Sequence, residues 1–230
     1  MDISRELHEW EVSYAEARQI QCELKNRVRF MPLPEPVEFV AGADMAFSRE
    51  EGLFFATVVI MTYPDMEIVE TRSVRREADF PYIPGLLSFR EGPAVLRAFS
   101  KVKTRPDVVI FDGQGIAHPR RLGLAAHVGL WLDIPSIGCA KSRLIGENES
   151  PGSEKGAHVP LIEDGERIGT VLRTRTDVKP VFVSPGHLCN QRDAWEMVLE
   201  CAIRYKMPEP TRQAHLAVGR AKRKYLEQQE

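Results

Sequence analysis

Three acidic residues stand where a carboxylate is costly or conspicuous. Asp44 interrupts a β-type run that is apolar throughout Phe39-Val40-Ala41-Gly42-Ala43, Asp112 ends a second such run, Asp107–Phe111, and Glu91 lies in a segment of helical periodicity. If the two runs are neighbouring strands, both aspartates lie side by side at one edge of a crevice. Like charges that close repel, so something positive must sit between them. Mg²⁺ suits the position, with Mn²⁺ as a substitute, because it takes oxygen ligands, needs only one or two carboxylates, and completes its shell with water and phosphate. Such an ion polarises a phosphoryl oxygen and activates an attacking water. Any one of the three acids alone reads as a strand-end or N-cap carboxylate; the three together read as a metal site.

Two further motifs flank them. Asp112-Gly113-Gln114-Gly115-Ile116-Ala117-His118-Pro119-Arg120-Arg121 has glycines that admit a close ligand and basic residues at a helix start, yet neither the G-x-G-x-x-G spacing nor a Walker A loop. An aspartate just before the glycines would repel a bare phosphate, so a phosphodiester bound through a metal fits better. In Phe80-Pro81-Tyr82-Ile83-Pro84-Gly85 two prolines stiffen a loop with an apolar tip. Such a tip either packs on the core or wedges into a base stack and replaces an extruded base. Lys141, after the run Ser136–Ala140, and His215, after Pro208-Glu209-Pro210-Thr211-Arg212, could balance charge or move a proton; singly, each reads as a surface side chain.

Positioning these residues requires a scaffold. Apolar residues Leu7, Trp10, Tyr14, Ala17, Leu24 and Val28 recur at helical intervals and predict a leading helix over 4–28, stopped by Pro32, Pro34 and Pro36. Runs at 38–47, 53–63 and 66–77, split by turn residues, predict an antiparallel meander whose first strand is central. A helix over 88–102, a strand over 107–111, a helix over 122–132 and a strand over 136–140 then form a βαβ unit, so the sheet turns parallel. The polar stretch 146–156 reads as a surface loop, followed by strands at 168–174 and 181–184, a helix at 192–205 and a last helix after Pro210. The order predicts an α/β fold of the ribonuclease-H-like kind, a mixed sheet flanked by helices in one domain spanning 1–230.

Composition sets outer bounds. The 230 residues are 43% hydrophobic and 28% charged, enough for one sizeable core. The N-terminal residues show no apolar leader, and no apolar run reaches the ~18 residues needed to span a bilayer, so a cytoplasmic enzyme is expected. Cys22, Cys139, Cys189 and Cys201 show no metal or disulfide spacing and read as reduced thiols. With a net charge of −2, nucleic acid cannot be held by a uniformly basic surface. Local basic groups exist, among them Arg72, Arg75 and Arg76 and the tail Arg220, Lys222, Arg223 and Lys224, each of which alone reads as a solvated face. No heptad or long apolar stripe appears, so a monomer is expected.

The sequence resembles the endonuclease V family in several segments taken in order: Ala41-Gly42-Ala43-Asp44, residues 81–91 from Pro81 to Glu91, residues 112–121, Ile137-Gly138-Cys139-Ala140-Lys141, and Pro208-Glu209-Pro210-Thr211-Arg212. They cover about residues 38 to 216. The resemblance implies a DNA repair nuclease that uses Mg²⁺ to nick damaged DNA at the second phosphodiester bond 3′ to deoxyinosine, leaving 3′-hydroxyl and 5′-phosphate ends. It implies that Asp44 and Asp112 are metal ligands, that Glu91 completes the acidic site, and that Lys141 and His215 assist near the scissile phosphate. Tyr82, with Pro81, Ile83, Pro84 and Gly85, would form a strand-parting wedge. The loop of Gly113, Gln114, Gly115 and His118 would hold the flipped base through backbone contacts. Cys139 departs from the small apolar residue expected there, and the first ~35 residues and the tail after Leu216 match less clearly. Two alternatives remain open at this point: inosine-containing RNA as substrate, and a binder of deaminated nucleic acid that does not cut.

Overall fold

The computed structural model describes all residues except 2, 4, 5, 78 and 230. Eight strands form one sheet in the order β3-β2-β1-β4-β5-β8-β7-β6. The first three, β1 (Phe39–Ser48), β2 (Leu53–Thr62) and β3 (Ile68–Glu77), form the expected antiparallel meander. Strands β4 (Val108–Phe111) and β5 (Ser136–Ala140) join in parallel, and helix α3 (Leu124–Leu132) makes the crossover between them. β1 is therefore central, paired on both sides, as its continuous apolar run requires.

Parallel pairing stops at β5. Strand β8 (Val181–Pro185) runs antiparallel to β5, and β7 (Glu166–Leu172) and β6 (His158–Glu163) extend the sheet antiparallel. Strand β6 was not expected. It is a half-exposed edge strand containing Pro160, a residue that argues against strand structure except at an edge. The turn Asp164-Gly165, with Asp164 and Gly165 both at positive φ, closes the β6–β7 hairpin.

The leading helix is shorter than its periodicity suggests. Helix α1 spans Tyr14–Leu24 and continues as a 3₁₀ turn, Lys25–Arg27; the start expected at residue 4 lies outside the described residues. Ser13 is extended and forms a capping box with Glu16, which ends the helix at its N-terminal side. Leu7 and Trp10 pack against the core from a non-helical strap, so their spacing imitates a helix turn without forming one.

Helix α2 (Leu87–Ser100) packs against β2 and α3, whereas α4 (Gln191–Cys201) covers β8 and β7. Helix α5 (Glu209–Leu226) lies along β1 and β2. The core has two main parts on opposite faces of the sheet: Ala41, Val109 and Phe111 face α2 and α3, while Val40, Val108 and Ile110 face α4 and α5. The four cysteines are free thiols. Among the described residues no helix is long and apolar enough to cross a membrane.

Candidate active site

The parallel ladder between β1 and β4 ends at the pair Ala43 and Phe111. Asp44 and Asp112 follow directly on the two strands, so the carboxylates emerge side by side where β4 stops and β1 continues. Glu91 reaches the same place from the second turn of α2. Its carboxyl is pushed up to about 8 by burial and then by the charge of Asp44, with Arg90 opposing and Asp112 adding to the shift. Burial also raises Asp44, against the stabilising hydrogen bond from His215.

Two cationic or protonatable groups close over the acids. Lys141, at the end of β5, donates to Asp112 through Nζ. Burial acts to lower the Lys141 ammonium, but the bond and charge of Asp112 outweigh it and the net shift is upward. His215 Nδ1 lies 2.7 Å from Asp44 Oδ2; an ionised carboxylate only accepts, so Nδ1 donates. The local packing explains how α5 comes so close. A Cβ on Gly42 would stand 2.1 Å from the Pro210 backbone. Only glycine lets the start of α5 rest on β1 there, and one turn later His215 arrives over Asp44.

Beside this cluster is a cavity of about 150 Å³ lined by Gln21, Tyr82, Ile83, Gly85, Gln114 and His118, among others. Cavities of about this size, when apolar, hold a benzene-sized ring. Tyr82 is 68% exposed at its mouth, so the stiff loop presents its aromatic tip outward while Phe80 anchors it in the core. Of the loop after β4, Gln114 and His118 line the cavity and Gly113 and Gly115 do not. The Gly115 amide donates to Ser184 Oγ at 2.8 Å, and the Gly113 amide donates to the Phe111 carbonyl. Backbone contacts to a base from these two amides would require breaking bonds already made. His118 instead secures the wall: its Nε2 donates to the Gly85 carbonyl at 3.0 Å, while Nδ1 accepts from the Arg120 amide.

Gln21 is a site-lining residue that sequence reasoning missed. It is buried in α1, and its Nε2 donates to the carbonyls of Gly85 and Leu122 while Oε1 accepts from Arg120 Nε. The signal was present: a glutamine in the buried stripe Ala17, Gln21, Leu24 must find partners. Ser88 is a second. It lines the cavity and bonds the buried His127 ring, whose Nε2 lies 2.7 Å from His8 Nε2.

The acidic cluster suits a hard divalent cation by donor chemistry, since burial and mutual repulsion leave its carboxylates short of positive charge. Among the described residues, however, no three carboxylate, imidazole or thiol groups converge into a ready-made cage. Two aspartates with water and phosphate completing the shell fit that arrangement.

Comparison with known proteins identifies the family. The endonuclease V family profile matches residues 22–216. An endonuclease V from a Nostoc species is 50% identical over 208 residues, covering 90% of this chain and 94% of its own. The crystal structure of endonuclease V from Streptomyces avermitilis superposes with a TM-score of 0.91 at 38% identity, covering 94% of this chain and 96% of that one. An endonuclease V from Ciona intestinalis, solved with DNA containing an inosine followed by a ribo-adenosine, superposes with a TM-score of 0.82 at 27% identity, covering 95% of this chain and all of that one. The fold is the ribonuclease-H-like one, and the chain belongs to the endonuclease V family.

Proposed function

We propose that this nuclease recognises hypoxanthine in DNA and nicks the second phosphodiester bond on its 3′ side, leaving 3′-hydroxyl and 5′-phosphate ends, with Mg²⁺ or Mn²⁺ held by Asp44 and Asp112. The observation that carries the reading is the adjacency of those two aspartates at the end of the β1–β4 ladder, with Glu91 buried beside them and a cavity of about 150 Å³ next door. The bound ion would supply charge neutralisation at the phosphate and an activated water. Lys141 and His215 orient the two aspartates and place donors where charge develops on the leaving oxygen. Tyr82 fills the gap left in the stack, and the cavity receives the extruded base. Hypoxanthine opposite thymine is weakly paired, so extrusion costs least at the lesion.

The test is cutting of a labelled strand bearing one deoxyinosine, with Mg²⁺ or EDTA, by the native protein and by Asp44→Ala. A Mg²⁺-dependent product ending one nucleotide past the lesion, absent with Asp44→Ala, is expected. Full activity of the variant would overturn the site. The Ciona complex carries a ribonucleotide after its inosine, so a matched inosine RNA belongs in the same assay. Cutting of RNA alone would replace DNA as the substrate, and binding without product under any metal would leave a non-cutting binder.

A further inference from the structure

The family match ends at residue 216, one residue past His215, but α5 runs on to Leu226. From Pro210 to Leu226 the helix contains no acidic residue, and its second half carries Arg220, Lys222, Arg223 and Lys224. This segment is held firmly rather than trailing. Lys222 Nζ donates to the Phe47 carbonyl at 2.8 Å, and the Tyr225 ring packs against Phe55 with the Arg75 guanidinium over its face.

With Lys222 and Tyr225 turned inward, the outward stripe consists of His215, Leu216, Gly219, Arg220, Arg223 and Lys224. Arg220, Arg223 and Lys224 are exposed and have no ion-pair partner among the described residues. Gly219, one turn beyond His215, has nothing within 4 Å of where its Cβ would stand. A mid-helix glycine is unfavourable relative to alanine, and no neighbour here requires one; its effect is a bare spot where another backbone can approach.

We infer that this face of α5 is a track for the phosphate backbone of the bound strand, leading from His215 away from the acidic cluster. The inference rests on the proposed nucleic-acid substrate but not on inosine recognition or on cutting. From His215 to Lys224 the helix rises about 14 Å, a length over which one strand of a duplex presents about four phosphates. The chain carries a net charge of −2, so affinity for a polyanion must come from local stripes of this kind.

The test is the salt dependence of binding to labelled undamaged and inosine-containing duplexes in EDTA, for the full chain and for the triple variant R220A/R223A/K224A. Each phosphate contact contributes about 0.9 to the slope of log affinity against log salt. The variant is expected to lose about 2 to 3 from that slope and to bind both duplexes tenfold or more weakly at about 0.1 M salt. The rate of any Mg²⁺-dependent cutting at saturating protein should stay unchanged, and R220K/R223K should keep the native slope. An unchanged slope and affinity in the triple variant would overturn the track and leave the stripe to another partner, such as an acidic protein. If the native protein cuts no inosine strand and the slope still falls, the track stands and the proposed cleavage does not.

Discussion

The Gly85 carbonyl accepts a hydrogen bond from Gln21 Nε2 at 3.1 Å, joining helix α1 to the end of the exposed Tyr82 loop. His118 Nε2 and Arg120 Nη2 donate to the same oxygen. Gly85 sits at φ +78°, and an added Cβ would meet the Arg120 guanidinium at 2.8 Å, so loop position and cavity wall are fixed together at one residue. Gln21→Leu removes two donated hydrogen bonds and one accepted one; the Gly85 carbonyl keeps His118 and Arg120, but the buried Leu122 carbonyl and Arg120 Nε lose their partner, at about 1 to 3 kcal/mol for each group left without a bond. We expect a loss of about 2 kcal/mol in denaturant unfolding and a KM for inosine-containing strands raised about tenfold with kcat changed much less. Equal KM values for variant and native protein would show that the bond braces the fold without shaping recognition.

Glu91 is placed at a cost. Its carboxyl is buried beside Asp44 and near Asp112, and each neighbour opposes its ionisation. Glu91→Gln keeps the shape and removes the ionisable group. It should raise the stability of the metal-free protein by about 1 kcal/mol or more while reducing cleavage by about a hundredfold or more. Thermal unfolding in EDTA and single-turnover cutting measure the two effects, and a variant both less stable and fully active would contradict the assigned role.

Much of this was legible in the sequence because the relevant signals are local. Asp112 ends an apolar run and so marks a strand end, whereas Asp44 interrupts a strand that runs on to Ser48; the order of three strands, a helix and a fourth strand made their two strands candidate neighbours, and the parallel β1–β4 pairing brings them together. The Tyr82 loop declared its stiffness through Pro81 and Pro84. What escaped depends on contacts between distant segments. The partners of Gln21 are 64, 99 and 101 residues away, and no spacing rule indicates them. The Leu7 and Trp10 spacing imitated a helix because both side chains, three residues apart, pack on the core from a non-helical strap. Strand β6 was hidden by Pro160 and by its half-polar edge position.

Tyr82 is exposed and lends little to the core, so Tyr82→Ala should change unfolding free energy by no more than about 0.5 kcal/mol. If the side chain replaces an extruded base, the loss of cutting should be larger for a duplex than for a single strand, where no stack must be opened. Rates on matched duplex and single-stranded inosine substrates test this. Equal losses on both would assign Tyr82 to general binding instead of strand parting.

Three histidines held below their ordinary value make stability depend on pH. Burial, then the charges of Arg120 and Arg121, holds His118 down to about 4, and burial lowers His8 and His127 as well. A histidine whose folded value lies below 6.5 binds fewer protons when folded than when unfolded, so its contribution is complete above 6.5 and is lost as pH falls. Glu91 has the opposite sign, because a carboxyl raised to about 8 gains stability as pH falls from 8 toward 4.5. The whole-protein curve mixes the two, and the informative quantity is the difference between native protein and His118→Gln, which retains a donor for the Gly85 carbonyl. Between pH 7.5 and 5 the native protein should lose about 2 kcal/mol more than the variant, the linkage expected from titration below 6.5. Parallel pH profiles would mean that His118 takes up its proton equally in the folded and unfolded chain, and that its bond to Gly85 does not depend on the neutral ring.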